Sequence, residues 1–153
     1  MDKINKKKLK GFSLLEIIVT IGLLLLLSAL VFPTTLRKLN ESKARDYASQ
    51  IVTDVYFQQQ RARNEGVPTG VHFELNKYTL FDGDSLSTAT EKDIKKLPKG
   101  IVLTNINMTD SNSVLFLGTE FKPISFGDLR VTVGLSSVKV NINQEGLIEY
   151  DKM

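Results

Sequence analysis

Lys6-Lys7-Lys8-Leu9-Lys10-Gly11-Phe12-Ser13-Leu14-Leu15-Glu16 opens onto an apolar run that ends at Phe32. A basic stretch closes on a glycine, a hydrophobic residue follows, and one acid stands four places further on. Phe12 to Phe32 is 21 residues, about 31 Å as helix, enough to cross the hydrocarbon core of a bilayer. Glu16 lies inside that segment. A carboxylate at the centre of a bilayer costs about 2.5–3.5 kcal/mol, less near an interface, so an acid there points to a function and a partner. Lys3, Lys6, Lys7, Lys8 and Lys10 precede the segment. They are expected to keep the N-terminus in the cytoplasm and to send the rest of the chain outside.

Two other readings fit parts of this stretch. A secretory signal also has a basic start and an apolar core, but it needs a small-x-small cleavage site after that core. Here Ser28-Ala29 is followed by Leu30, Val31, Phe32 and Pro33, a poor site. A plain signal anchor would make Ser13-Leu14-Leu15-Glu16 a capping box, with Ser13 as N-cap and Glu16 reaching back from the third helical position. That accounts for Glu16 but not for Gly11-Phe12 after a lysine run. The whole of Lys6–Glu16 with its apolar sequel resembles the type IV prepilin signal of pilins and pseudopilins. The resemblance implies a membrane peptidase that cuts on the cytoplasmic side after Gly11 and methylates the new N-terminus, Phe12.

The absence of cysteine excludes a disulfide framework and thiolate chemistry, so the outer part must hold by packing alone. The net charge of +3 is a topology signal. Five lysines and Asp2 lie in residues 1–11, and the remainder carries 15 Lys and Arg against 16 Asp and Glu. A polyanion-binding surface is not implied by that balance.

Beyond Phe32 the spacing predicts more helix. Pro33 either kinks that helix or ends it. Leu36, Leu39, Ala44, Tyr47, Ala48, Ile51, Val52, Val55 and Tyr56 recur at three- and four-residue steps, a single apolar stripe. Asn64-Glu65-Gly66-Val67-Pro68 is the stop, with Gly66 as C′. After it the period becomes two. Val71–Leu75 alternates, Asn76-Lys77 is expected to turn, and Tyr78–Phe81 returns as a hairpin partner. Asp82 to Lys99 reads as a long connection with a helical turn near Lys92–Lys96. Ile101–Leu103, Val114–Leu117, Leu129–Val133, Val138–Ile142 and Leu147–Tyr150 read as short strands, with Ser136-Ser137 and Glu145-Gly146 among the punctuation between them. The expected domains are a leader over 1–11, a transmembrane helix over 12–32, an amphipathic outer half over 33–65 and an antiparallel β domain over 66–153. That β domain could bury only a modest core alone, so laying its sheet on the stripe of residues 44–56 would complete it.

Within the pilin superfamily three stretches resemble one branch, the FimT/GspH-type minor pilins. They are Gln58-Gln59-Gln60-Arg61-Ala62-Arg63-Asn64-Glu65-Gly66-Val67, Leu97-Pro98-Lys99-Gly100-Ile101-Val102-Leu103, and the closing Val138–Ile142, Asn143-Gln144-Glu145-Gly146, Leu147–Tyr150. Phe116–Pro123 departs from the usual Phe-x-Pro-x-Gly segment. The resemblance implies an α+β, pilin-like lollipop, a long N-terminal helix packed on antiparallel sheet. It also implies that Pro33, 21 residues after Phe12, bends the helix without ending it.

Signals for catalysis are few. His72 is the single histidine and sits in an alternating strand, a packed or solvated position rather than a base. With no second His or Cys there is no zinc set. Asp82-Gly83-Asp84 lacks a later bidentate acid at EF-hand spacing and reads as a polar turn. No phosphate-binding glycine loop occurs, and no cofactor is expected. Lys92, Lys95, Lys96 and Lys99 form the basic cluster outside the leader, diluted by Glu91 and Asp93. They are the DNA-contact candidates, since some relatives in this branch act in DNA uptake and unspecific DNA contact needs several cations on one face.

The expected protein is a minor pilin or pseudopilin, a structural and assembly subunit of a type II secretion pseudopilus or type IV pilus, and not an enzyme. The alternative is a DNA-binding minor pilin of a competence pilus. Expected partners are the prepilin peptidase, other pilin subunits and the inner membrane, crossed once, with nucleic acid less favoured. Assembly into a periplasmic or cell-surface filament would follow.

Overall fold

A computed structural model describes residues 11–118 and 120–151. The leader lysines lie outside the described residues, as do Thr119 and the last two residues. The elements are α1 (Leu14–Glu65), β1 (Thr69–Glu74), β2 (Lys77–Asp82), β3 (Glu91–Lys96), β4 (Ile101–Met108), β5 (Ser113–Phe116), β6 (Pro123–Ser125), β7 (Gly127–Val133), β8 (Ser136–Ile142) and β9 (Ile148–Tyr150). The fold is α+β, one long helix packed on antiparallel sheets. By its contacts the chain divides into Met1–Leu36 and Arg37–Met153.

The first part is the apolar end of α1. Ser13 occupies the N-cap position, and its carbonyl accepts the first helical bond, from the Ile17 amide at 3.2 Å. An 18-residue window reaches a mean hydropathy of 2.7 with none of its described residues buried, so the helix is long and apolar enough to cross a membrane. Its hydroxyls are turned inward: Thr20 donates to the Glu16 carbonyl and Ser28 to that of Leu24, both at 2.8 Å. Hydroxyls satisfied within the helix suit a segment surrounded by lipid. The backbone remains helical through Pro33, so the helix does not stop there.

In the second part α1 buries Ala44, Ala48, Ile51, Val55 and Ala62 completely. The stripe is narrower than the spacing predicted, because Leu36, Leu39 and Tyr56 are all exposed. Tyr56 follows Val55 by one residue, and that step of about 100° turns it away from the buried line. Gln58 and Gln59 take the next buried positions. Gly66 ends the helix as the sequence indicates. At φ +67 it is left-handed, and its amide returns to the Ala62 carbonyl at 2.9 Å.

Two sheets, not one, face the stripe. The first has the order β3-β2-β1-β5-β6 and the second β4-β7-β8-β9. Val71, Phe73, Tyr78, Val114 and Phe116 of the first join Leu103, Leu129, Val131, Val140 and Ile142 of the second in one cluster with the helix. A backbone bond crosses the seam, from the Leu103 amide to the Leu75 carbonyl at 2.8 Å.

Several local expectations are corrected. Residues 92–96 are not a helical turn but lie in β3, which pairs with β2 over six residues from Lys77↔Lys96 to Asp82↔Glu91. Its charged sequence has no strand period, and cross-strand hydrogen bonding overrides its local preference. The first hairpin turns at Leu75-Asn76, with Lys77 already paired to Glu74. The β7–β8 hairpin turns at Gly134-Leu135 rather than Ser136-Ser137, since Val133 pairs with Ser136. Gly134, at φ +57, supplies the first central position, where a two-residue turn of the II′ kind requires glycine. β6 escapes sequence reading because it is three residues long and begins on Pro123, which an edge strand tolerates.

Candidate functional site

The acid of the opening motif sits in the first turn of α1. Gly11 and Phe12 precede the helix, and Phe12 is 81% exposed. Glu16 is also exposed, four residues from Phe12 and at the start of an apolar segment whose described side chains are themselves exposed. This arrangement can do two things. A backbone without a side chain at Gly11 lets a protease approach closely, and a carboxylate in apolar surroundings attracts a cation.

The four lysines of the other candidate set do not share a face. On β3, Lys92 and Lys96 point away from the helix with Ile94, while Lys95 points to the helix side with Glu91 and Asp93, as strand alternation demands. Lys92 pairs across to Phe81, and Lys95 to Tyr78, the strand position that faces α1. Lys95 is held by Asp93 at 2.8 Å, and that hydrogen bond raises its pKa above the usual value. Lys99 lies beyond the strand, in the turn leading to β4. Charges arranged this way decorate an edge strand, where they discourage pairing with another sheet.

His72 faces away from the helix on β1, and its Nδ1 lies 2.8 Å from Ser113 Oγ on β5. Both line a cleft of about 550 Å³, with Phe81, Asp84, Lys92 and Ser125 around it. Ser113 Oγ also donates to the Ser111 carbonyl at 3.2 Å, and Ser125 donates to the Ser113 carbonyl. These bonds tie the turn before β5 and the edge strand β6 onto the sheet.

Three further polar contacts join residues far apart in the sequence. Arg61 Nη2 lies 2.7 Å from Asp82 Oδ2 and 3.7 Å from Glu91, and Arg61 Nε lies 3.1 Å from Glu65. Partial burial opposes the guanidinium charge, yet Asp82 and the two glutamates outweigh it, and the Arg61 pKa is raised. The first acid of Asp82-Gly83-Asp84 is therefore engaged by arginine. Tyr78 donates to Asp54 at 2.6 Å; burial first, then this bond, pushes its pKa upward. Gln59 Nε2 donates to the carbonyls of Phe121 and Gly146, both at 2.8 Å. The signal for such contacts was the polar run Gln58–Arg61 continuing an apolar stripe, since buried amides need partners. No protein-family model, no curated protein and no solved structure matches this chain.

Proposed function

We propose that the chain is a membrane-anchored filament subunit of the type IV pilin kind, a minor pilin or pseudopilin that acts by assembly rather than catalysis. The observation that carries this reading is Glu16, four residues after Phe12, in the first turn of a long helix whose described apolar side chains are exposed. In this reading the peptidase cuts after Gly11 and methylates the freed amine of Phe12. Glu16 then binds a Phe12 ammonium, its own or a neighbour's, and the pair lowers the cost of both charges in lipid. Helices of neighbouring subunits would cover the apolar surface of Phe12–Phe32, and the β domain would face the partners of the filament.

Mass spectrometry of the membrane-extracted protein tests the processing step. The expected mature chain starts at Phe12 and carries one added methyl group. A start at Met1, or after Ala29, would falsify the assignment. Gly11→Ala should be cleaved slowly, and Gly11→Val should leave the precursor uncut in the membrane.

A further inference from the structure

Leu135 is the most exposed large apolar side chain of the second part of the chain, fully open at the tip of the β7–β8 hairpin. An apolar residue at the centre of a two-residue turn contributes nothing to the core. Its position is informative. Gly134 beside it approaches the side chain of Asn40, with a Cβ built there lying 3.0 Å from Nδ2. Ile101 pairs with Val133, so the Pro98-Lys99-Gly100 turn stands at the same end of the second sheet. Lys43 and Lys99 line one groove with Gly134. This end therefore presents one apolar tip beside two exposed lysines.

The same end is where the chain arrives from its apolar segment. Arg37 follows Phe32 by five residues, so it stays within about 18 Å of it whatever the backbone does. Arg37 and Lys38 are exposed, and Glu41 is occupied by Arg45 at 3.0 Å. An exposed apolar side chain with lysines beside it is the pattern of a surface that seats in the headgroup layer of an anionic bilayer.

We propose that the Gly134-Leu135 tip, with Lys43 and Lys99, is a lipid-contacting surface that seats the β domain on the membrane before assembly. The inference rests on residues 12–32 crossing the bilayer. Each lysine is expected to strengthen the contact with an anionic surface roughly fivefold.

The chain contains no tryptophan, so Leu135→Trp installs a single fluorescent reporter at an already exposed position. Leu147→Trp is the control. Leu147 is exposed and neighbours Gly146, which Gln59 holds, about 28 Å along the helix from Asn40. Both full-length variants are reconstituted into phosphatidylcholine–phosphatidylglycerol vesicles, with and without brominated acyl chains. Bromine should quench the Leu135→Trp variant roughly twofold or more, as for a side chain at the headgroup–acyl boundary, and leave the Leu147→Trp variant little changed. Adding Lys43→Glu and Lys99→Glu should abolish that difference. Equal quenching of the two variants, or none for Leu135→Trp, overturns the inference. So does a blue shift of the Leu135→Trp emission that occurs only at high protein density and ignores bromine, because a second copy then covers the tip. Failure of the chain to float with the vesicles overturns the membrane reading and this inference together. Flotation with an unquenched reporter at the hairpin tip overturns this inference alone.

Discussion

Glu16 and Tyr78 pose the same problem, one polar group beside apolar surface, and Tyr78 finds its partner within the folded chain. For Glu16 the proposed partner is a Phe12 ammonium, its own or, in the filament, a neighbour's. Glu16→Leu removes a charge that costs on the order of a few kcal/mol when unpaired in lipid. The variant should still be cleaved after Gly11 and should remain longer in the membrane as monomer. Its recovery with sheared filaments should fall, and normal recovery would reduce Glu16 to a capping residue. Tyr78 has its partner in place, Asp54 at 2.6 Å. Tyr78→Phe should cost about 1.5–3 kcal/mol at neutral pH, the range for a hydrogen bond to a charged group. Because burial and Asp54 raise the folded-state pKa above the ordinary 10.0, the unfolded chain loses this proton first as pH rises. The parent is therefore destabilised above about pH 10, by up to about 1.4 kcal/mol per pH unit. The phenylalanine variant lacks that loss, so its deficit should shrink over the same window in denaturant titrations. A deficit independent of pH would show that Tyr78 ionises equally in both states.

At the scale of elements, α1 is terminated by backbone geometry and fixed to the first sheet by charge. Gly66→Ala places a Cβ in a left-handed conformation at φ +67, with an expected cost of about 1–2 kcal/mol. Nothing lies within 4 Å of the added carbon, so the cost is conformational rather than steric. Gly66→Asn, which tolerates the left-handed region better, should recover part of it in the same unfolding assay. Arg61→Met leaves the largely buried carboxylate of Asp82 without its closest cation. Solvent around Arg61 moderates that loss, and about 1–3 kcal/mol is expected. Asp82→Asn in the same chain should restore part of it, since no charge is then stranded. A double variant as weak as the sum of the singles would indicate that the two side chains act independently.

For the whole molecule, Ile51 is the residue on which the architecture depends. It is fully buried in the cluster that the helix shares with both sheets. Ile51→Asp puts an unpaired charge there, with an expected cost on the order of 4 kcal/mol or more. A small domain without disulfides has about 5–15 kcal/mol of stability in total, so the β domain should be unfolded or close to it. Circular dichroism of the detergent-purified full chain should show loss of the strand signal while the apolar helix persists. A variant that melts like the parent would mean that Ile51 lies outside the shared core. The sequence by itself determined the apolar membrane-length segment, the buried line through Ala44, Ala48, Ile51 and Val55, the stop at Gly66 and the alternation of β1, β7 and β8. These are patterns of near neighbours, written in hydrophobic period and in the backbone freedom of one glycine. The opening motif of the candidate site, Gly11, Phe12 and Glu16, was legible for the same reason, being contiguous. Only the tertiary structure decided that Glu91–Lys96 is a strand, that the strands form two sheets, and that Arg61 meets Asp82 while the Gly134-Leu135 turn stands beside Asn40 and Lys99. Each depends on residues far apart in the chain, and a charged edge strand or a turn shifted by two residues has no periodicity of its own to reveal its partner.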